Sequence, residues 1–194
     1  MRFKLLILAV IVLTSGLFYC NAKRHNSEPM DYAQLGDVIT AKTQDTLSRI
    51  LNNTIREKGY AGSVDFCKLI APSIISLYEG KDIKIKRTSL QIRNFENQPD
   101  KNEAKQLEYF LQLAKDGTLP PSKLVVEENG RVHYYKPITI QTLCLNCHGK
   151  PGTEVNPETF AILQQKYPAD AATGYINGQL RGLWHLTFET YSEN

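Results

Sequence analysis

Apolar residues return at helical spacing through Leu35, Val38, Ile39, Leu47, Ile50, Leu51 and Ile55 in an otherwise polar stretch. The chain is therefore expected to enter its fold as one long amphipathic helix ending at Gly59. A second helix is expected from a Ser63 cap, with Val64, Cys67, Ala71, Ile74 and Tyr78 on its apolar face and Pro72 loosening it just after the cysteine. The period then shortens: Ile83 and Ile85 alternate with lysines and predict a strand running into the polar stretch 87–90. Asp100 with Glu103 makes the capping-box pattern of a third helix carrying Leu107, Phe110, Leu111 and Ala114, stopped by Gly117 and the pair Pro120 and Pro121. Residues 124–126 and 132–135 flank Glu128, Asn129 and Gly130, a hairpin signal. Pro157 opens a short helix through Phe160 and Leu163, and a turn at Asn177 and Gly178 leads into a last strand over 183–188. Helices first and a small antiparallel sheet afterwards predict an α+β fold.

The chain's beginning has a different composition. Arg2 and Lys4 precede an apolar run over 5–18 that only Thr14, Ser15 and Gly16 interrupt, the pattern of a secretory signal and too short for a comfortable membrane span. Residues 1–22 read as a signal peptide or lipoprotein signal: Cys20 becomes a lipidated N-terminus, or cleavage follows Ala22. Tyr19 is bulky where a lipoprotein signal usually has a small residue, and an uncleaved anchor is the third route. Each route makes the protein periplasmic or exported, with any membrane contact confined to its N-terminal lipid or anchor. Polar, proline-containing residues 23–31 read as a tether, and 32–194 as one domain with a single core. The formal charge of +3 falls to +1 once Arg2 and Lys4 are removed with residues 1–19, so nucleic acid is not an implied partner.

Cys144, Cys147 and His148 then change the picture, because they form the C-x-x-C-H pattern of c-type haem attachment. Two thiols at this spacing add across the two haem vinyl groups, and the adjacent histidine turns back to ligate the iron. A thioredoxin-type motif would follow a βαβ strand, whereas Tyr134 to Ile138 read as an antiparallel strand ending in a loop. A zinc site would need a second Cys/His pair, and a disulfide would leave the histidine unexplained. Cys67 is the thiol that neither the signal nor this peptide accounts for; it reads either as a ligand or as a small buried hydrophobe.

Several further motifs stand in order: Val64-Asp65-Phe66-Cys67 with Ala71-Pro72, then Arg87-Thr88-Ser89-Leu90 with Arg93-Asn94 and Asn97-Gln98-Pro99-Asp100. Tyr135-Lys136-Pro137-Ile138 precede the haem peptide, and the stretch from Tyr167 to Tyr175 and Leu180-Arg181-Gly182 follow it. In these the chain resembles the bacterial periplasmic c-type haem proteins with a PAS-like fold, found alone or attached to histidine kinases. The resemblance implies a PAS-like antiparallel sheet with long N-terminal helices and a C-x-x-C-H haem loop, unlike the small all-helical cytochromes c. It implies one covalent haem c with His148 as proximal ligand and Cys67 as distal ligand, against which His133, His185 and Met30 compete. Arg87, Arg93 and Arg181 are candidates to pair with the haem propionates, since a guanidinium matches a carboxylate and keeps its charge when partly buried. Tyr134, Tyr135, Tyr175 and Trp184 are candidate walls of the ring site.

A histidine/thiolate pair gives a six-coordinate, electron-rich, low-potential iron without an open position, which argues against an enzyme. A redox- or gas-responsive sensor domain is expected, in which iron oxidation state or a small ligand such as NO or CO displaces Cys67 and releases its helix. No kinase, cyclase or methyl-accepting segment follows in the sequence, so such a sensor is expected to act through a separate exported redox or signalling protein. The alternative is a periplasmic electron-transfer cytochrome with unchanging ligands. A third class is a binding module of the same fold without haem.

Overall fold

Asp31 starts the first helix: its carboxylate accepts the backbone N–H groups of Ala33 and Gln34, both at 3.0 Å. In the computed structural model, which describes residues 30–189 and all of them except the Cys67 side chain, this helix α1 spans Tyr32–Asp65. The expected stop at Gly59 is a break inside it, where φ is 69° and ψ is 179°. Only glycine takes that backbone readily, so the helix changes direction there. Beyond the break, Ser63 does not cap a new helix; its hydroxyl donates back to the Tyr60 carbonyl at 2.7 Å inside the continuing one.

The core-facing side of α1 also differs from the expected apolar stripe. Val38 is exposed, while Gly36, Thr40, Thr43 and Leu47 are the residues buried along its first half. Thr40 and Thr43 hide their hydroxyls by donating to the carbonyls of Gly36 and Ile39, at 2.7 and 2.8 Å. A Cβ on Gly36 would lie 2.5 Å from the Tyr134 ring, so the missing side chain is what lets helix and sheet approach. After α1 comes one π turn, Phe66–Ile70, and a short helix α2, Ala71–Ser76. Pro72 sits in the first turn of α2, directly after the π turn, and the expected loosening takes the form of that turn.

Four antiparallel strands form the sheet among the described residues, in the order β1-β4-β3-β2: β1 Ile83–Thr88, β2 Lys123–Val126, β3 Val132–Thr139 and β4 Leu180–Phe188. The last strand lies between the first and third, pairing Arg87 with Trp184 on one side and Lys136 with Trp184 on the other. Helix α3, Lys101–Lys115, follows the expected capping box at Asp100 and Glu103; helix α5, Pro157–Lys166, starts at its proline. The expected α+β fold is therefore observed.

Strand alternation gives the sheet two working faces. Ile85, Val132, Tyr134, Trp184, Leu186 and Phe188 pack under α1 and α2 with Leu47, Phe66 and Ile74. Tyr135 and Leu183, one residue out of phase, pack under α3 with Leu107 and Phe110. Helix α5 adds Leu163 and Tyr167 against Val64 near the end of α1, with Val155. Among the described residues no helix is long and apolar enough to cross a membrane.

Candidate haem-binding cleft

Strand β3 ends at Thr139, and one turn of 3₁₀ helix, Thr142–Cys144, passes into helix α4, Leu145–His148. These two turns place Cys144, Cys147 and His148 on one wall of a cleft of about 250 Å³. Helix α1 also lines it through Gln44, Ser48, Leu51 and Ile55, a stripe at helical spacing. The end of the sheet closes it with Arg87, Ile138 and Gly182. Both motif thiols are half-buried, and the Cys144 sulfur accepts the Gln141 backbone N–H at 3.4 Å.

His148 is held in one tautomer. Its Nδ1 lies 2.7 Å from the Ala172 carbonyl, which can only accept, so Nδ1 carries the proton and Nε2 keeps a lone pair. Burial holds the ring's pKa well below the ordinary value, and the Arg93 and Arg181 cations reinforce this against the Ala172 hydrogen bond. Tyr175 stands edge-on to the imidazole, centroids 6.3 Å apart.

A strap over residues 170–175 binds this wall from behind. The Tyr175 and Gly174 N–H groups donate to the carbonyls of His148 and Gly149, each at 2.9 Å. Arg93 and Asp170, both 8% exposed, form an ion pair at 3.0 Å, and Arg93 also donates to the Cys147 carbonyl at 2.6 Å. Arg181 donates to the Ser89 hydroxyl at 2.6 Å and the Gln91 carbonyl at 2.9 Å, with its guanidinium over the Tyr175 ring. Arg87 lines the cleft with its guanidinium 5.8 Å from the Trp184 ring centre. Thus Arg87, Arg93 and Arg181 all border the cleft.

Other candidates are not brought there. His133 and His185 lie on the α3 face, Nδ1 to Nε2 at 2.9 Å, with His133 against Glu127 at 3.0 Å and His185 against Glu103 at 2.7 Å. They are corrected as competing ligands because strand alternation turns them away from the cleft. Met30 is 61% exposed. Tyr134 and Tyr135 are corrected as ring walls: Tyr134 is buried under α1 with its hydroxyl on Asp37 at 2.6 Å, and Tyr135 stacks on His185. The Cys67 backbone is in the π turn, but its side chain lies outside the described residues, as do Cys20 and the whole signal region.

The residues present fit a haem. Two thiols and an unprotonated imidazole nitrogen line the cleft together with Leu51, Ile55 and Ile138, and the guanidiniums of Arg87, Arg93 and Arg181 also line it, a residue type that matches carboxylates such as propionates, although Arg93 is already paired with Asp170. Among the described residues no three His, Cys, Asp or Glu side chains gather as a metal site of their own. A larger cavity of about 820 Å³ lies beside α3, sharing Ser89, Arg181 and Gly182 with the cleft but neither cysteine nor His148. Its volume is greater, but the chemistry is in the smaller space.

The family described as Tll0287-like matches residues 25–188. The chain belongs to the Tll0287-like family. Among solved structures, one titled as the cyanobacterial haem protein Tll0287 is similar to it at 22% identity and a TM-score of 0.56, covering 85% of this chain and 100% of that one. No curated protein matches. The family resemblance read from the ordered motifs is thereby shown, and the structural likeness extends to the fold. For this Tll0287-like chain the sequence reading missed the α1 stripe and the work of Asp170 and Ala172. The latter two lie within the quoted motif from Tyr167 to Tyr175, yet Ala172 acts through its backbone carbonyl, which a side-chain pattern does not encode.

Proposed function

We propose that this is an exported c-type haem-binding protein with a PAS-like domain, holding one haem c through Cys144 and Cys147, with His148 as proximal ligand. The observation that carries this reading is the His148 ring, fixed by Ala172 with its Nε2 lone pair kept, on the same cleft wall as both motif thiols. Arg87, Arg93 and Arg181 supply the positive rim. When bound, the haem supplies one-electron redox chemistry and an iron that gases can address. The PAS-like reading rests on the antiparallel sheet whose first and last strands pair and on the long entry helix packed across it.

The distal ligand in this reading is Cys67, and its place on a π turn supports a sensor. A π turn is a local defect in helical bonding, often found at functional sites. A thiolate released from it would let α2 shift, and the message passes to a separate exported redox or signalling protein. No catalytic role is assigned. Export follows the signal over residues 1–22, ending in lipidation at Cys20 or cleavage after Ala22. The electron-carrier reading is favoured by one observation: the buried Arg93–Asp170 pair holds the haem peptide in a fixed geometry, as an unchanging ligand set requires.

The test is a comparison of optical and electron paramagnetic resonance spectra of ferric, ferrous and CO- or NO-exposed protein, made with the c-haem maturation machinery. Loss of a thiolate signature on reduction or gas exposure supports the sensor, while reversible cycling indifferent to gases supports the carrier. Protein without haem overturns both. Cys67→Ala is expected to remove the thiolate signature while covalent haem is retained; an unchanged ferric signal would return Cys67 to a packing role.

A further inference from the structure

The Ala172 backbone is held by three side chains. Its N–H donates to Asp170 Oδ1 at 2.8 Å. Its carbonyl accepts His148 Nδ1–H at 2.7 Å and Arg93 Nη2–H at 3.2 Å. Asp170 Oδ2 in turn accepts Arg93 Nε–H at 3.0 Å, and the same Arg93 Nη2 donates to the carbonyl of Cys147, the residue just before His148. Arg93 and Asp170 are buried, so the pair is little screened by water.

We propose that Arg93 and Asp170 are a positioning pair that sets how strongly His148 can donate, by dividing the Ala172 carbonyl between an imidazole and a guanidinium. This rests on the proposed role of His148 as ligand. A carbonyl oxygen has two lone pairs and serves both donors, but a cation on one draws density from the other. The His148 N–H bond is thereby weaker than it would be to an undivided carbonyl. A histidine that gives its Nδ1–H to a stronger acceptor is a more basic ligand at Nε2, so the guanidinium restrains that basicity. Asp170 is needed because it fixes both the guanidinium and the Ala172 N–H, and the contact to Cys147 keeps the haem peptide in register with the strap.

The pair is tested on the full chain, prepared with and without the haem maturation machinery. Arg93→Gln with Asp170→Asn removes both charges together and leaves no buried ion unpaired. Arg93→Lys keeps the charge but has one nitrogen, which cannot reproduce the fork to Asp170 and two carbonyls. In haem-free protein both variants are expected to move the His148 Nδ1–H proton resonance downfield, as its hydrogen bond strengthens. In haem-bearing protein both are expected to lower the midpoint potential, because a more basic ligand favours ferric iron. Arg93→Lys with wild-type resonance and potential would show that only a charge is needed and would overturn the proposal. A folded double variant with unchanged resonance would overturn it as well. Wild-type protein that takes up no haem would defeat the proposed function, while the haem-free resonance would still judge the pair.

Discussion

Under α1 the sheet presents Ile85, Tyr134, Trp184 and Leu186 and runs at one end into the cleft, whereas under α3 the same strands carry Lys86, His133 and His185. On the α1 side, apolar packing is joined by hydrogen bonds from side chains to backbone carbonyls around Cys147 and His148. On the α3 side, side-chain ions meet one another: Glu103, 1% exposed, accepts Lys86 at 2.8 Å and His185 at 2.7 Å, and caps its own helix through the Asp100 N–H. One face is thus shaped to hold a group that is not protein, and the other to lock α3 to the strands. The two should fail separately, since sites without shared partners act almost additively.

The largest expected effect is on the cleft face alone. Replacing Cys144 and Cys147 with alanine should remove all covalent haem, read as haem that survives denaturation, while the unfolding of α3 in the haem-free chain stays as it was. A variant that loses haem and α3 together would break the separation. Next is Glu103→Gln, which leaves Lys86 and His185 facing a neutral group and should cost about 3 kcal/mol in denaturant melts, with haem attachment retained. Burial alone would raise the Glu103 carboxyl, but hydrogen bonds from His185, Lys86 and the Asp100 N–H outweigh it and hold it at about 2, below its ordinary 4.5. The unfolded chain therefore binds this proton more readily than the native one. This stabilisation is present above pH 4.5 and is lost as the pH falls toward about 2, so an acid titration of wild type and Glu103→Gln should converge. Curves that stay parallel would remove Glu103 from the account of acid stability.

The smallest effect belongs to the bend between the two halves of α1. Gly59→Ala forces a side chain onto a φ of 69° and should cost about 1–2 kcal/mol, measurable as a lower melting temperature without loss of covalent haem. A Gly59→Ala variant as stable as wild type would show that the bend relaxes into straight helix.

Legibility in the sequence followed the range of the interaction. The capping box at Asp100 and Glu103, the hairpin before Val132 and the α5 start at Pro157 all depend on residues a few positions apart, and each stands where it was expected. That Glu103 also binds His185 and Lys86 depends on the pairing of β1 with β4 under α3, which no local pattern carries. Tyr134 and Tyr135 were indistinguishable as aromatic neighbours, yet alternation sends one under α1 and the other under α3. The burial of Thr40 and Thr43 in place of Val38 arises because each hydroxyl satisfies itself within the helix, so polarity in the sequence did not mean exposure in the fold. The strap was hidden for a further reason: its key acceptor, the Ala172 carbonyl, belongs to every residue type alike.

The π turn at Phe66–Ile70 closes with the Ala71 N–H on the Phe66 carbonyl, one residue further back than an α-helical bond would reach. Each residue of an α-helix advances the chain by about 100° of rotation. Turning it into α-helix with all its residues kept would rotate everything after it by about that amount, carrying Ala71 and Ile74 away from the sheet they are buried against. The turn therefore works as a phase offset, and the spacing between Gly59 and Pro72 is as much a part of the design as the residues that fill it.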